Sequence, residues 1–217
     1  MRYLLAFMFG VLLNVAAVSA KDRPGDFDYY ALALSWSPTF CASDAGRRAR
    51  QQCGPGRRFA FVVHGLWPQY ERGWPDYCRT DDLWVSNRQI RRMMDIMPSK
   101  KLIIHEWKKH GTCSGLSQTG YFDLTRRLFG QVKIPARYLS PTDPVLVKPE
   151  QLVTDFVKTN RELTEEMISV QCGNSRQRGR LREVRICFDR KGRFARCGDN
   201  ERRRCRAKTL VLPPVRQ

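Results

Sequence analysis

The chain holds eight cysteines, yet no two of them have the spacing of a C-x-x-C pair. Zinc ribbons and related sites depend on such pairs, so we discount a cluster of metal-binding thiolates. An even number of cysteines is more typical of a disulfide framework formed in an oxidising compartment. Internal repeats, long linkers and low-complexity tracts are absent as well, so a single domain accounts for the folded part of the chain.

Long hydrophobic runs are also lacking, except at the N terminus. Residues 4–18 are almost uniformly apolar, follow Met1-Arg2 and end at the small residues of Val18-Ser19-Ala20. This layout predicts a signal peptide over residues 1–20. A membrane anchor is the alternative, but a spanning helix needs about 20 apolar residues, more than this run supplies. We therefore expect residues 21–217 to form one domain that is secreted or periplasmic and not stably anchored in a membrane.

Acidic residues are scarce relative to basic ones, with 21 Asp and Glu against 39 Lys and Arg, which gives a net charge of +18. An excess of this size indicates a polyanionic partner, which could be nucleic acid, an anionic membrane surface or an acidic polysaccharide. Charge alone does not choose among these three.

Strand and helix patterns alternate without the regular strand–helix–strand rhythm of a parallel sheet, which predicts an α+β fold. Residues 41–58 read as a loop. The apolar patterning predicts strands over residues 27–36, 58–63, 168–172, 181–188 and 193–197. It predicts helices over residues 82–97, 102–110, 121–132 and 149–159.

Histidine is rare, with only three in the chain. His64 follows an apolar stretch and precedes Gly65-Leu66-Trp67-Pro68, which would place it at a strand end, on the rim of a sheet. For one histidine taken alone, a satisfied core or surface residue is the better interpretation. The other two histidines change this view because they lie in one short polar segment.

That segment reads HEWKKHGTC from His105 to Cys113. On a helix that turns about 100° per residue, Trp107 and Lys108 fall outside the arc that the other titratable groups share. Four such side chains lie on that common face: His105, Glu106, Lys109 and His110. A solvated charged surface is the alternative, but such a surface rarely combines two scarce histidines with a carboxylate and an ammonium group.

Two other enzyme classes, zinc proteases and serine hydrolases, do not fit this sequence. Zinc proteases with an H-E-x-x-H helix place their histidines four residues apart, whereas here the interval is five and Lys109 stands where the second ligand would be. A neighbouring lysine also opposes a bound cation. The G-x-S-x-G turn of many serine hydrolases is missing from the sequence.

Two histidines, a lysine, a carboxylate and a basic surface suit the cleavage of RNA. RNA carries its own nucleophile, the 2′-hydroxyl group, so the reaction needs a base to take that proton and an acid to protonate the leaving 5′-oxygen. Histidine can do both near neutral pH. Cationic donors stabilise the more negative phosphorane, and this chemistry requires no metal ion.

Two segments, FVVHGLWP at residues 61–68 and HEWKKHGTC at residues 105–113, resemble the signature segments of the ribonuclease T2 family. These are secreted, transferase-type endoribonucleases. The resemblance implies an α+β fold with an antiparallel β-sheet core, flanking helices and disulfide bonds. It also implies that residues 21–217 are a single ribonuclease domain.

The resemblance further implies roles for individual residues. His64 and His110 are the acid–base pair; His110 is favoured as the base, but the sequence does not decide which histidine takes which role. Glu106 and Lys109 stabilise the pentacovalent intermediate, and His105 helps to bind the phosphate.

Base binding is implied for Trp67 and Gln69. Some family members have an aspartate where this chain has Gln69, and a neutral amide should discriminate less sharply. Broad base specificity is therefore expected. The resemblance also implies four disulfides: Cys41–Cys53, Cys78–Cys113, Cys172–Cys205 and Cys187–Cys197.

The expected function is therefore that of a metal-independent endoribonuclease, without a cofactor, that acts on RNA as a monomer and yields 2′,3′-cyclic phosphate and then 3′-phosphate ends. Two alternatives remain. One is a catalytically silent basic module that binds RNA or anionic surfaces, and the other is a metal-dependent nuclease or protease.

Overall fold

The computed structural model describes residues 22–173, 177–202 and 205–215. The predicted signal peptide over residues 1–20 lies outside these ranges. Within them, no helix combines the length and apolar character needed to cross a membrane.

A six-stranded sheet forms the centre of the described structure. Its order is β2-β1-β5-β6-β3, and β4 pairs with β5 beside this path. The neighbouring strands are antiparallel except for β5 and β6, which run parallel. The strands are β1 (Tyr29–Trp36), β2 (Phe61–Gln69), β3 (Val145–Val147), β4 (Ile168–Cys172), β5 (Arg178–Phe188) and β6 (Thr209–Leu212). The predicted α+β class is confirmed, with one parallel pair in an otherwise antiparallel sheet.

Seven α-helices lie in the described ranges, and several begin at a serine. At four helix starts a serine hydroxyl accepts a hydrogen bond from the backbone N–H three residues on, which satisfies a donor that the helix leaves open; these are Ser43, Ser86, Ser99 and Ser117. The helices are α1 (Ser37–Cys41), α2 (Asp44–Arg48), α3 (Arg50–Cys53), α4 (Asn87–Met93), α5 (Lys100–Lys109), α6 (Gln118–Gln131) and α7 (Pro149–Thr159).

The two faces of β1 differ in the size of their side chains. Leu32 and Leu34 belong to the main hydrophobic core, together with residues of the helices such as Trp107 and Phe122. On the opposite face, Ala31 and Ala33 in the middle of β1 are small and fully buried, between the larger Tyr29 and the partly exposed Ser35. Because side chains alternate along a strand, this second face has room for longer side chains from the neighbouring strands.

Three sequence-based predictions about elements were wrong. Residues 193–197 form no strand and keep one bridge to β5, between Phe188 and Phe194. The N–H of Ala195 still donates to Cys187 of β5, but the N–H of Cys197 donates to Glu166 outside β5, so the pairing does not continue. Residues 41–58 contain short helices rather than a loop alone. The helix expected over residues 82–97 is shorter, because the cap at Ser86 sets its start.

Four disulfides link the described cysteines, in the pairs that the resemblance implied: Cys41–Cys53, Cys78–Cys113, Cys172–Cys205 and Cys187–Cys197. The second of these ties the loop after β2 to the 3₁₀ turn Gly111–Ser114 that follows α5. It therefore joins the two segments that carry the histidines.

Candidate active site

His64 lies in the middle of β2, not at the strand end that the sequence suggested. Along β1, Ala33 is opposite Gly65 and Leu34 is opposite Val63, which leaves His64 as the extra residue of a β-bulge. Bulges turn a side chain away from the regular alternation and are common next to active sites. Here the bulge leaves the His64 side chain partly open to solvent, with 37% of its surface exposed.

Helix α5 supplies the second set of side chains, and its geometry follows the helical spacing predicted from the sequence. Glu106 is buried, His105 is exposed, and His110 is the C-cap residue just after the last turn. Trp107 points to the core, where its indole N–H donates to the Asp82 carbonyl at 2.6 Å.

A cleft of about 700 Å³ brings the two segments together. It is lined by all seven residues expected to form the site: His64, Trp67, Gln69, His105, Glu106, Lys109 and His110. Lys108 is exposed and lies outside this lining, as its position on the helix predicts. Among the described residues, no group of three or more histidine, cysteine or acidic side chains is arranged to hold a metal ion.

Gly65 allows β2 and α5 to approach closely. The indole N–H of Trp67 donates to Oε2 of Glu106 at 2.8 Å. A Cβ atom at position 65 would lie 1.9 Å from that carboxylate oxygen and 2.5 Å from the indole nitrogen. The glycine next to His64 is thus needed because no side chain fits between β2 and the buried carboxyl group.

Two carboxyl groups face the imidazole of His64. Its Nδ1 is hydrogen-bonded to Oε1 of Glu183, and its Nε2 lies 3.9 Å from Oε1 of Glu106. Burial lowers the pKa of His64, but the hydrogen bond and charge of Glu183 and the charge of Glu106 outweigh burial, so the pKa is raised above its ordinary value. The protonated form of His64 is therefore favoured.

Burial has the opposite consequence for His110. His110 is 6% exposed, and its Nδ1 has no hydrogen-bond partner among the described residues. Burial, followed by the positive charges of Lys109, His105 and His64, lowers the pKa of His110 to about 3. The imidazole of His110 is therefore neutral at ordinary pH.

The remaining titratable groups of the cleft are shifted as well. Burial raises the pKa of Glu106 to about 7, against the lowering effects of His64, the Trp67 hydrogen bond and Lys109. Partial burial and the positive charges of Lys109 and His64 lower the pKa of His105.

Gln69 is buried in β2, not exposed in a loop. Its amide nitrogen donates to the Pro68 carbonyl at 3.0 Å, and its Oε1 accepts a hydrogen bond from Asn200 at 3.1 Å. Asn200 also donates to the Gly73 carbonyl at 2.7 Å, so it ties the end of β2 to the loop that follows.

Sequence reasoning missed a group of charged residues on β5 and on the 3₁₀ turn Asp199–Arg202. Arg185 lines the cleft, its guanidinium lies 4.8 Å from the centre of the Trp67 ring, and it forms ion pairs with Glu183 and Glu201. One signal was available: Glu183 is the only acidic residue in the basic stretch of β5. Its pairing with His64 depends on a sheet register that the sequence does not reveal.

Comparisons of the sequence and of the structure with known proteins both find ribonucleases or ribonuclease-related proteins. The sequence profile of the Ribonuclease T2 family matches residues 27–197. The chain is 39% identical to a "Ribonuclease" of Aeromonas hydrophila over 98% of this chain and 99% of that one. It is 32% identical to a "Probable ribonuclease" of Haemophilus influenzae over 86% of this chain and 69% of that one. An RNase-related protein from Calystegia sepium has the same fold, with a TM-score of 0.68 at 24% identity over 88% of this chain and 98% of that chain.

Proposed function

The chain belongs to the ribonuclease T2 family of endoribonucleases, and we propose that it cleaves single-stranded RNA without a metal ion. The 2′-hydroxyl attacks the adjacent phosphorus, the bond from phosphorus to the 5′-oxygen breaks, and a 2′,3′-cyclic phosphate forms. Water then opens the cyclic phosphate to a 3′-phosphate.

One observation carries this proposal: two histidines share a cleft, and their surroundings displace their pKa values in opposite directions. A neutral His110 can accept the proton of the 2′-hydroxyl, and a protonated His64 can donate a proton to the leaving 5′-oxygen. In the second step the roles reverse, since His64 is then neutral and His110 protonated. The proton balance closes after each turnover.

We propose that three other side chains stabilise the negative charge that develops on the phosphorane. Lys109 supplies an ammonium group in the cleft. Because the pKa of Glu106 is about 7, this carboxyl group is largely protonated below that pH and can donate a hydrogen bond to a phosphorane oxygen. His105, which is exposed and has a lowered pKa, offers a neutral N–H donor to the substrate phosphate.

We propose that Trp67 and Gln69 contact the base and that cleavage has broad base specificity. Aromatic stacking tolerates every base, and the Gln69 amide already bonds Pro68 and Asn200, which leaves little capacity for reading base edges. A sequencing ladder of a mixed-sequence RNA should show cuts after all four bases with modest differences in intensity. Cutting after a single base would contradict this part of the proposal.

We also propose that the enzyme is exported, with residues 1–20 removed, and that residues 21–217 act as one monomeric ribonuclease domain. The four disulfides support folding in an oxidising compartment.

The test of the proposed function uses two RNA substrates that differ at one sugar, with and without a metal chelator. The unmodified oligonucleotide should be cut in the presence of chelator, and mass spectrometry should detect 2′,3′-cyclic phosphate ends before 3′-phosphate ends. An oligonucleotide with a single 2′-deoxy sugar should resist cleavage at that position only. Chelator-sensitive cleavage, or cleavage at the deoxy position, would contradict the proposal.

A further inference from the structure

We propose that Glu183 is a positioning residue for the reaction, because its carboxylate holds the imidazole of His64 through Nδ1 and so leaves Nε2 facing the cleft. This inference rests on the proposed function, since it requires His64 to carry a proton to the substrate. Glu183 itself lies on β5 and is not part of the cleft lining.

The sheet brings these two residues together across an intervening strand. His64 is on β2, Glu183 is on β5, and β1 lies between them. Glu183 is opposite Ser35 of β1, and Arg185 is opposite Ala33. Paired residues of neighbouring strands point to the same face, so the small side chains of β1 form a floor over which His64 and Glu183 can meet. A larger residue at either β1 position would separate them.

The carboxylate of Glu183 is held from both ends. Nδ1 of His64 is bonded to Oε1, and Nε of Arg185 donates to Oε2 at 3.1 Å. Arg185 in turn donates to the buried carboxylate of Glu201 at 3.2 Å. Positive and negative groups therefore alternate from one contact to the next, and the neighbours of Glu183 favour its charged form. Burial raises the pKa of Glu183, but His64 and Arg185 outweigh burial and lower the pKa to about 2.

The hydrogen bond also fixes which nitrogen is available for chemistry. With the Nδ1 proton donated to Glu183, a neutral His64 has its lone pair on Nε2, and a protonated His64 has its transferable proton there. Nε2 is the nitrogen that lies 3.9 Å from Oε1 of Glu106, inside the cleft. Without Glu183 the ring would be free to rotate and to exchange tautomers.

Other charged groups that face His64 do not replace Glu183. Glu106 favours the protonated imidazole, but its own pKa of about 7 leaves it largely neutral in acid. The positive Arg185 opposes protonation of His64, and His105 and His110 on the α5 side interact with the same ring. Glu183 is therefore the carboxylate that stays charged throughout the range in which His64 titrates.

A purely structural role is the competing explanation, because Glu183 also anchors Arg185. Glu201→Gln is the matched control. It removes another buried carboxylate from Arg185 but leaves the contact between Glu183 and His64 in place.

The experiment compares Glu183→Gln with wild type and Glu201→Gln by NMR titration of His64 and by the pH dependence of kcat. The first step, which forms the cyclic phosphate, needs protonated His64, so kcat measured for that step falls as pH rises through the pKa of His64. Loss of the adjacent negative charge moves this limb to lower pH. A nearby opposite charge typically shifts a pKa by about one unit or more. We therefore expect kcat to fall about tenfold at pH values above both pKa values, with little change in KM.

Several outcomes are decisive. Glu201→Gln should alter the unfolding midpoint but not the alkaline limb, and Glu183→Asp, which keeps the charge on a shorter side chain, should place the limb between Glu183→Gln and wild type. An unchanged His64 pKa in folded Glu183→Gln or Glu183→Asp protein would overturn this inference. If His64→Ala retained wild-type activity, the proposed function itself would fail, so the two failures are distinguishable.

Discussion

The pKa values of single residues in the cleft are set by the groups that surround them. His64 has carboxyl groups at both ring nitrogens, whereas His110 is buried beside positive charges. The pKa values of the two imidazoles are therefore displaced in opposite directions, and on the proposed mechanism one acts as the acid and the other as the base. Glu106 is the third member of this set, since burial brings its pKa to about 7.

The raised pKa of Glu106 has a consequence for stability. Its pKa in the unfolded chain is near 4.5, so between that value and 7 the folded state binds more protons and stability decreases as pH rises. Glu106→Gln does not titrate and should lose this decrease. We expect the variant to gain about 1–3 kcal/mol relative to wild type on going from pH 5 to pH 8, while its activity falls.

Urea unfolding at the two pH values measures this effect. A stability difference between Glu106→Gln and wild type that stays constant with pH would show that Glu106 is not a buried carboxyl group with a raised pKa.

Two adjacent lysines offer a matched comparison at the same scale. Lys109 lines the cleft, whereas Lys108 is exposed on the far side of the helix. Both Lys109→Ala and Lys108→Ala remove one positive charge from the chain. We expect kcat/KM to fall about 10²–10³-fold for Lys109→Ala, as for the loss of one donor to a developing charge, and to change less than about twofold for Lys108→Ala. Equal losses in the two variants would indicate a general effect of net charge.

At the scale of elements, the close contact between β2 and α5 positions the side chains of the cleft. Gly65→Ala would force the new Cβ against the Glu106 carboxylate and break its hydrogen bond with Trp67. We expect a loss of about 1–3 kcal/mol in stability and a large decrease in kcat. Gly130→Ala is the control, because Gly130 lies in α6 and a Cβ atom added there would meet no neighbour within 4 Å. It should be neutral or slightly stabilising. Thermal unfolding and kcat of both variants check this, and an active Gly65→Ala enzyme would show that the close approach is dispensable.

Sequence reasoning located elements well where the signal is local. Helix α5 was expected over residues 102–110 and is found at Lys100–Lys109, because its apolar spacing and its cap are both encoded nearby. The predicted strand over residues 58–63 ends too early, because β2 continues to Gln69. A histidine, a glycine and a proline are atypical of a strand interior, and pairing with β1 keeps them extended. Strands β3 and β6 were missed because they are short and depend on distant partners.

Within the site as well, locally encoded features were predicted and features that depend on distant strand pairing were not. The face shared by His105, Glu106, Lys109 and His110 follows from helical periodicity, and the cleft lining agrees with it. Glu183 and Arg185 could not be placed in the same way, because they reach the site through the pairing of β5 with β1.

At the scale of the whole molecule, the net charge of +18 should attract any single-stranded nucleic acid. A DNA oligonucleotide should therefore inhibit RNA cleavage competitively without being cut. Its inhibition constant should rise linearly with salt on a log–log plot, because each neutralised phosphate releases counterions. An uncharged peptide nucleic acid of the same base sequence should not inhibit. Salt-independent inhibition by DNA would contradict an electrostatic origin.

The most direct measurement of the assigned acid and base uses an RNA whose scissile 5′-oxygen is replaced by sulfur. A thiolate leaves readily without a proton, so this substrate does not need the acid. His64→Ala and His110→Ala should each lower cleavage of ordinary RNA about 10²–10⁴-fold. On the sulfur substrate, His64→Ala should regain most of the wild-type rate and His110→Ala should not. Rescue of His110→Ala alone would reverse the assignment, and near wild-type cleavage of ordinary RNA by either variant would contradict the acid–base mechanism.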